Sequence, residues 1–85
     1  MRVELYGIAR ARAGREAVEV RAGELGVVLA RLVEACPGLA PEVVDGARLS
    51  AGYLASLNGE RFVEDTSDEL AESDTLVILG AQAGG

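Results

Sequence analysis

The sequence has no histidine, no tryptophan and no lysine, and it carries one cysteine and two prolines. Each shortage excludes something. Without histidine the commonest general acid–base residue is missing, so neither a Ser-His-Asp nor a Cys-His arrangement can be assembled. A lone Cys36 allows no internal disulfide, and with no imidazole beside it there is no thiol–imidazole metal site. Stand-alone catalysis is therefore not expected, nor is a bound metal or cofactor. All eight cations are arginines, so no side-chain amine is open to acylation. Such a chain can donate in amine conjugation but is not an ordinary acceptor. No apolar run approaches the roughly 18 residues of a membrane span, and Met1-Arg2-Val3-Glu4 does not open an apolar signal segment. The expectation is a cytoplasmic protein that does not engage a membrane.

What is present describes one folded domain. Eighty-five residues, 49% hydrophobic and 26% charged, suit a single packed core. The net charge of −6 disfavours nucleic acid and anionic lipid as partners. Over residues 1–50 seven arginines balance seven acids, whereas residues 51–85 set Arg61 against seven acids. Glu64, Asp65, Asp68, Glu69, Glu72 and Asp74 fall close together in that last third. They read either as a solvated loop face or as a docking patch for a basic partner, with Asp68 and Glu69 at its centre.

Residues Met1 to Ile8 alternate as a strand does, and Glu16 to Arg21 alternate again with Val18 and Val20 on one face. Arg10 to Gly14 between them reads as the loop of a hairpin. Its arginines, with Arg15, read as solvated charge or as a partner contact. From Leu25 the period lengthens. Leu25, Val28, Leu29, Leu32, Val33 and Cys36 form the apolar stripe of a helix, with Arg31 and Glu34 pointing away from it. Pro37-Gly38 stops that helix, and Pro41 to Val44 suits one short helical turn. Cys36, on the stripe, reads as a small buried hydrophobe rather than a sulfur-handling thiol. Tyr53 to Leu57 and Arg61 to Val63 are strands joined by Asn58-Gly59, a strong hairpin signal. Thr75 to Leu79, apolar on both faces, reads as a central strand.

A hairpin, a helix and three further strands make an α+β fold: a mixed sheet with one main helix across one face, and the last strand parallel to the first. This is the β-grasp, or ubiquitin-like, arrangement. The expected domain covers residues 1–79, followed by a tail at 80–85 that ends in Gly84-Gly85. Glycine has no Cβ, so such a tail can thread a narrow channel and deliver its carboxylate into a partner's active site. The competing reading is a β-grasp interaction module whose glycines are incidental.

In its sequence the chain resembles the MoaD/ThiS family of ubiquitin-like sulfur carriers, most of all its MoaD branch. The resemblance rests on Val3-Glu4-Leu5-Tyr6-Gly7-Ile8-Ala9-Arg10, Leu32 to Leu39, Leu57-Asn58-Gly59, Leu70, Asp74 to Ile78 and the final Gly84-Gly85. It departs at Ser73-Asp74 and at Gly80-Ala81-Gln82-Ala83, where the family commonly has Gly-Asp and Pro-Pro-Val-Ser. What it implies is a carrier whose Gly85 carboxylate is adenylated, with ATP consumed by a MoeB/ThiF-type adenylyltransferase, and then converted to a thiocarboxylate. Gly80, Ala81, Gln82, Ala83 and Gly84 would be the arm that enters the partner. In molybdenum cofactor biosynthesis that partner is the large subunit of molybdopterin synthase, MoaE. Carriers for thiamine, cysteine or tRNA thiolation, and protein modifiers, share the same implied chemistry.

Overall fold

A computed structural model describes residues 1–82. The first strand, β1, is shorter than its alternation suggests and spans Arg2–Leu5. The expected hairpin loop is instead a helix, α1, over Gly7–Ala13. Part of the reason is local. Ala9, Arg10, Ala11, Arg12 and Ala13 are strong helix formers, and Gly14 closes the helix in the left-handed conformation (φ 73°), its N–H donating to the Arg10 carbonyl. Strand β2, Ala17–Glu19, then pairs antiparallel to β1.

The main helix, α2, spans Leu25–Ala35 and buries Leu25, Val28, Leu29 and Leu32 as its stripe requires. Cys36 follows at φ −134° and ψ 77°, outside the α region that a residue before proline avoids. Its side chain is 2% exposed, in agreement with the buried-hydrophobe reading. Two details differ from expectation. Arg31 does not point away: its guanidinium donates to the carbonyls of Arg21 and Ala22 at 3.0 and 2.9 Å, tying α2 to the segment after β2. The short helical turn is a 3-10 turn at Pro37–Leu39, not at 41–44, because Pro37 itself takes the first helical position.

Val44 belongs to a strand. Val44–Asp45 (β3) and Arg48–Leu49 (β4) form a small hairpin apart from the main sheet. Asp45-Gly46 was the available signal for it, and Gly46 does take a positive φ of 68°. Strands β5, Tyr53–Leu57, and β6, Arg61–Val63, flank the expected Asn58-Gly59 turn, where both residues have positive φ. The last strand, β7, covers Thr75–Gly80, one residue beyond the expected end.

The sheet order is β2-β1-β7-β5-β6, with β7 central and parallel to β1. Val3 lies beside Leu76 and Leu5 beside Ile78. These four residues are fully buried against α2, together with Ala55, Leu57 and Val63 from β5 and β6. The β-grasp expectation is met, with α1 as an addition. The opposite face of β7 is only half-buried at Val77 and Leu79, so the sheet is open on that side.

Candidate functional site

The end of β7 brings the root of the tail to the surface. Tyr53 of β5 pairs with Gly80, and the Ala81 N–H donates to the Gly52 carbonyl at 2.7 Å. Gly80 and Ala81 are thus held by the sheet, and Gln82 is exposed. A Cβ on Gly80 would meet only the Gly52 oxygen at 3.9 Å, an ordinary contact, so the fold does not require glycine there. Ala83, Gly84 and Gly85 lie outside the described residues.

Around this root stand side chains from β1 and α1. The Tyr6 N–H donates to the Ile78 carbonyl at 3.1 Å, extending β1 beside β7. Its ring is 45% exposed and lies under the Arg10 guanidinium, 4.9 Å from the ring centre. Arg10 is fixed there by a 2.8 Å hydrogen bond from Nε to the Leu5 carbonyl. The Tyr6 hydroxyl donates to Glu4 at 3.2 Å, and Arg2 Nε donates to the other Glu4 oxygen at 2.9 Å. The hydrogen bond from Arg2, more than that from Tyr6, holds the Glu4 carboxyl below its ordinary range. Tyr6, Ile8, Tyr53, Leu79 and the backbone from Gly80 to Gln82 line a cleft of about 470 Å³. Ile8 is 62% exposed.

On the open face Phe62, also 62% exposed, lies across from Ser56, which pairs in turn with Val77. An apolar surface therefore runs from Phe62 towards Leu79 and the tail. Among the described residues it offers apolar contact area, interrupted by Ser56.

The sequence-predicted docking residues lie elsewhere. Asp68 and Glu69 belong to a strap that closes the start of α2. The Leu25 N–H donates to the Asp68 carbonyl at 2.8 Å and the Gly26 N–H to the Thr66 carbonyl at 2.9 Å. These bonds satisfy N–H groups that the helix cannot satisfy itself, and Glu24 supplies no side-chain cap. Further along, Glu72 accepts from the Met1 ammonium at 2.8 Å and from the Ala22 N–H at 3.1 Å. Hydrogen bonding to that ammonium, ahead of the Ala22 contact, keeps the Glu72 carboxyl low. Residues 69–74 thus gather where β1 and β7 begin, whereas Gly80 leaves where they end. Six strand residues separate the two, about 20 Å. Asp68 and Glu69 are not brought together with the tail residues. Tyr6 and Ile8, which are, were not singled out from sequence, because the alternation assigned them to the second face of a strand.

The sequence matches no family model and no curated protein. The likeness is structural. The chain superposes on SAMP1 from Haloferax volcanii, a small archaeal modifier protein, with a TM-score of 0.81 and 27% identity over 99% of this chain and 97% of that one. A chain of the Amycolatopsis orientalis BexX/CysO complex gives 0.80 and 24%, covering 99% and 98%. Urm1 from Sulfolobus solfataricus gives 0.69 and 20%, covering 94% and 99%. The last two support the fold alone. With the β-grasp topology, the likeness to SAMP1 upholds the resemblance to ubiquitin-like proteins of the MoaD/ThiS type, without singling out MoaD.

Proposed function

We propose that this chain carries sulfur as a thiocarboxylate on Gly85, as the small subunit of molybdopterin synthase. The observation that carries the reading is the central strand β7, which runs out of the core at Gly80 and hands an exposed Gln82 on to Ala83-Gly84-Gly85. A carboxylate is a poor electrophile. An ATP-dependent adenylyltransferase of the MoeB/ThiF type would join it to AMP with release of pyrophosphate. A persulfide on a sulfur-donor protein then attacks the acyl carbon and expels AMP, which leaves an acyl disulfide. A thiol reductant supplies two electrons to cleave the S–S bond, leaving the thiocarboxylate on Gly85. That sulfur would pass to the pterin precursor in MoaE, or to another acceptor if the chain serves thiamine, cysteine or tRNA thiolation.

The likeness to SAMP1, a small archaeal modifier protein, favours a second reading of the same activated end. There an amine of a target protein attacks the adenylate, AMP leaves, and an amide forms at Gly85. Having no lysine, this chain would be the donor in such a reaction. Intact mass spectrometry after incubation with ATP, the activating enzyme and a sulfur donor tests the carrier reading. Replacement of one oxygen by one sulfur is the expected mass change. An unchanged mass with an enzyme that activates other carriers would leave a β-grasp interaction module.

A further inference from the structure

We infer that the outer face of α1, centred on Ile8 with Arg12 and Arg15 beside it, is the surface that seats the activating partner. Its proposed counterpart is an apolar pocket rimmed by carboxylates at the mouth of the partner's tail channel. The inference deepens the carrier reading and rests on it. Single exposed apolar residues are common on protein surfaces, but Ile8 is not isolated. It lines the same cleft as Tyr6, Leu79 and the backbone of Gly80 to Gln82. A partner that takes in the tail must therefore close over Ile8.

Charge distribution selects the partner's chemistry. No acid occurs between Leu5 and Arg15, a stretch that holds three arginines in a chain of net charge −6. Arg10 is engaged with Tyr6 and the Leu5 carbonyl. Arg12 and Arg15 are exposed, and among the described residues neither has an ion-pair partner. At the end from which the tail leaves, Glu16 lies 3.9 Å from Arg10 and leaves Arg12 and Arg15 as unpaired positive charge, whereas Glu69, Glu72 and Asp74 gather at the other end. A basic partner surface would be drawn to Glu69, Glu72 and Asp74, at the end of the sheet away from the tail root. An acidic rim is repelled by the strap and attracted by α1, so the encounter is oriented with the tail foremost. Ile8 then sits at the centre of the contact, with the arginines at its rim.

The test is ATP–pyrophosphate exchange by the adenylyltransferase that activates the parent chain, with KM and kcat for the chain measured across a salt series. Ile8→Ala and the double variant Arg12→Glu/Arg15→Glu are compared with Asp68→Arg/Glu69→Arg, after melts establish that all are folded. Each α1 variant is expected to raise KM at low salt by about tenfold with kcat retained. The double α1 variant should also flatten or invert the salt dependence, while the strap variant, which loses charge that repels the acidic rim, should not raise KM. Parental KM in both folded α1 variants would overturn the inference and leave the carrier reading standing, as would a KM increase confined to the strap variant. A parent chain that no adenylyltransferase of this type activates would remove the carrier reading and this surface with it.

Discussion

Asn58 and Asp74, sixteen residues apart, form a latch between the β5–β6 turn and the start of β7. Asn58 Nδ2 donates to Asp74 Oδ1 at 2.9 Å, and the Asn58 side-chain oxygen accepts from the Thr75 N–H at 2.8 Å. Asp74 Oδ2 accepts from the Ala71 N–H at 2.8 Å, which closes the turn before the strand. The left-handed conformation that lets Asn58 make the hairpin (φ 57°) also aims its amide at that turn. One residue thereby sets both the hairpin and the entry to the central strand.

The latch predicts a pH effect. Hydrogen bonds from Asn58 first, and from Ala71, hold the Asp74 carboxyl below its ordinary range. A carboxyl depressed on folding stabilises above its unfolded pKa, about 3.9, and that contribution is lost as pH falls through the lower folded value. Asp74→Ala should therefore be less stable than the parent at neutral pH, and the gap should narrow on acidification. Urea melts across that range measure it. Glu4, Asp65 and Glu72 are held low as well, so the parental acid sensitivity should be reduced in the variant and not abolished. A gap that stays constant down to acid pH would show that Asp74 acts through packing alone.

Leu29 tests the α2–sheet interface. Its side chain is fully buried among the core residues. Leu29→Ala should cost about 2–5 kcal/mol through lost transfer energy and the cavity left behind. Against the roughly 5–15 kcal/mol that holds a domain folded, this is a large fraction. Denaturant melts should show it as an earlier midpoint with the slope little changed.

Gly38 tests how α1 is seated. A Cβ at this position would collide with the Arg12 carbonyl oxygen at the end of α1. Backbone cannot swing aside as a side-chain tip can, so α1 or the 3-10 turn has to move. Gly38→Ala should destabilise by about 1–3 kcal/mol, the range for overpacking a tight contact. Thermal melts measure the loss, and amide exchange should locate it in α1. A variant as stable as the parent would mean that the two elements are not in contact.

Gly84 and Gly85 should separate function from stability. Gly84→Ala is expected to leave the melting temperature unchanged, or to raise it slightly by restricting the unfolded chain. If the partner's channel admits only backbone, the added methyl displaces the acyl carbon. A shift of ~1 Å at a reacting centre costs on the order of 100-fold in rate. Deleting Gly85 withdraws the carboxylate by about 3.5 Å and should abolish thiocarboxylate formation. Parental rates in both variants would sink the carrier proposal.

The sequence by itself determined the elements whose signals are local and regular. The stripe from Leu25 to Leu32, the Asn58-Gly59 turn and the apolar run at the end of the chain each state their structure within a few residues, because period and turn chemistry are short-range. Tertiary structure decided what depends on residues far apart in the chain. Tyr6 and Ile8 alternate with Leu5 as strand residues do, yet Ala9 is buried and Gly38 lies against the end of α1, so the chain leaves β1 after Leu5 as a helix. The acids from 64 to 74 look like solvated charge because sequence displays side chains. What the fold uses there is backbone, the Thr66 and Asp68 carbonyls that cap α2 from some forty residues away. The tail root was hidden for the same reason. Ile8 and Gly80 line one cleft only because β1 and β7 lie side by side and parallel, which sets α1 beside the point where the chain leaves the sheet.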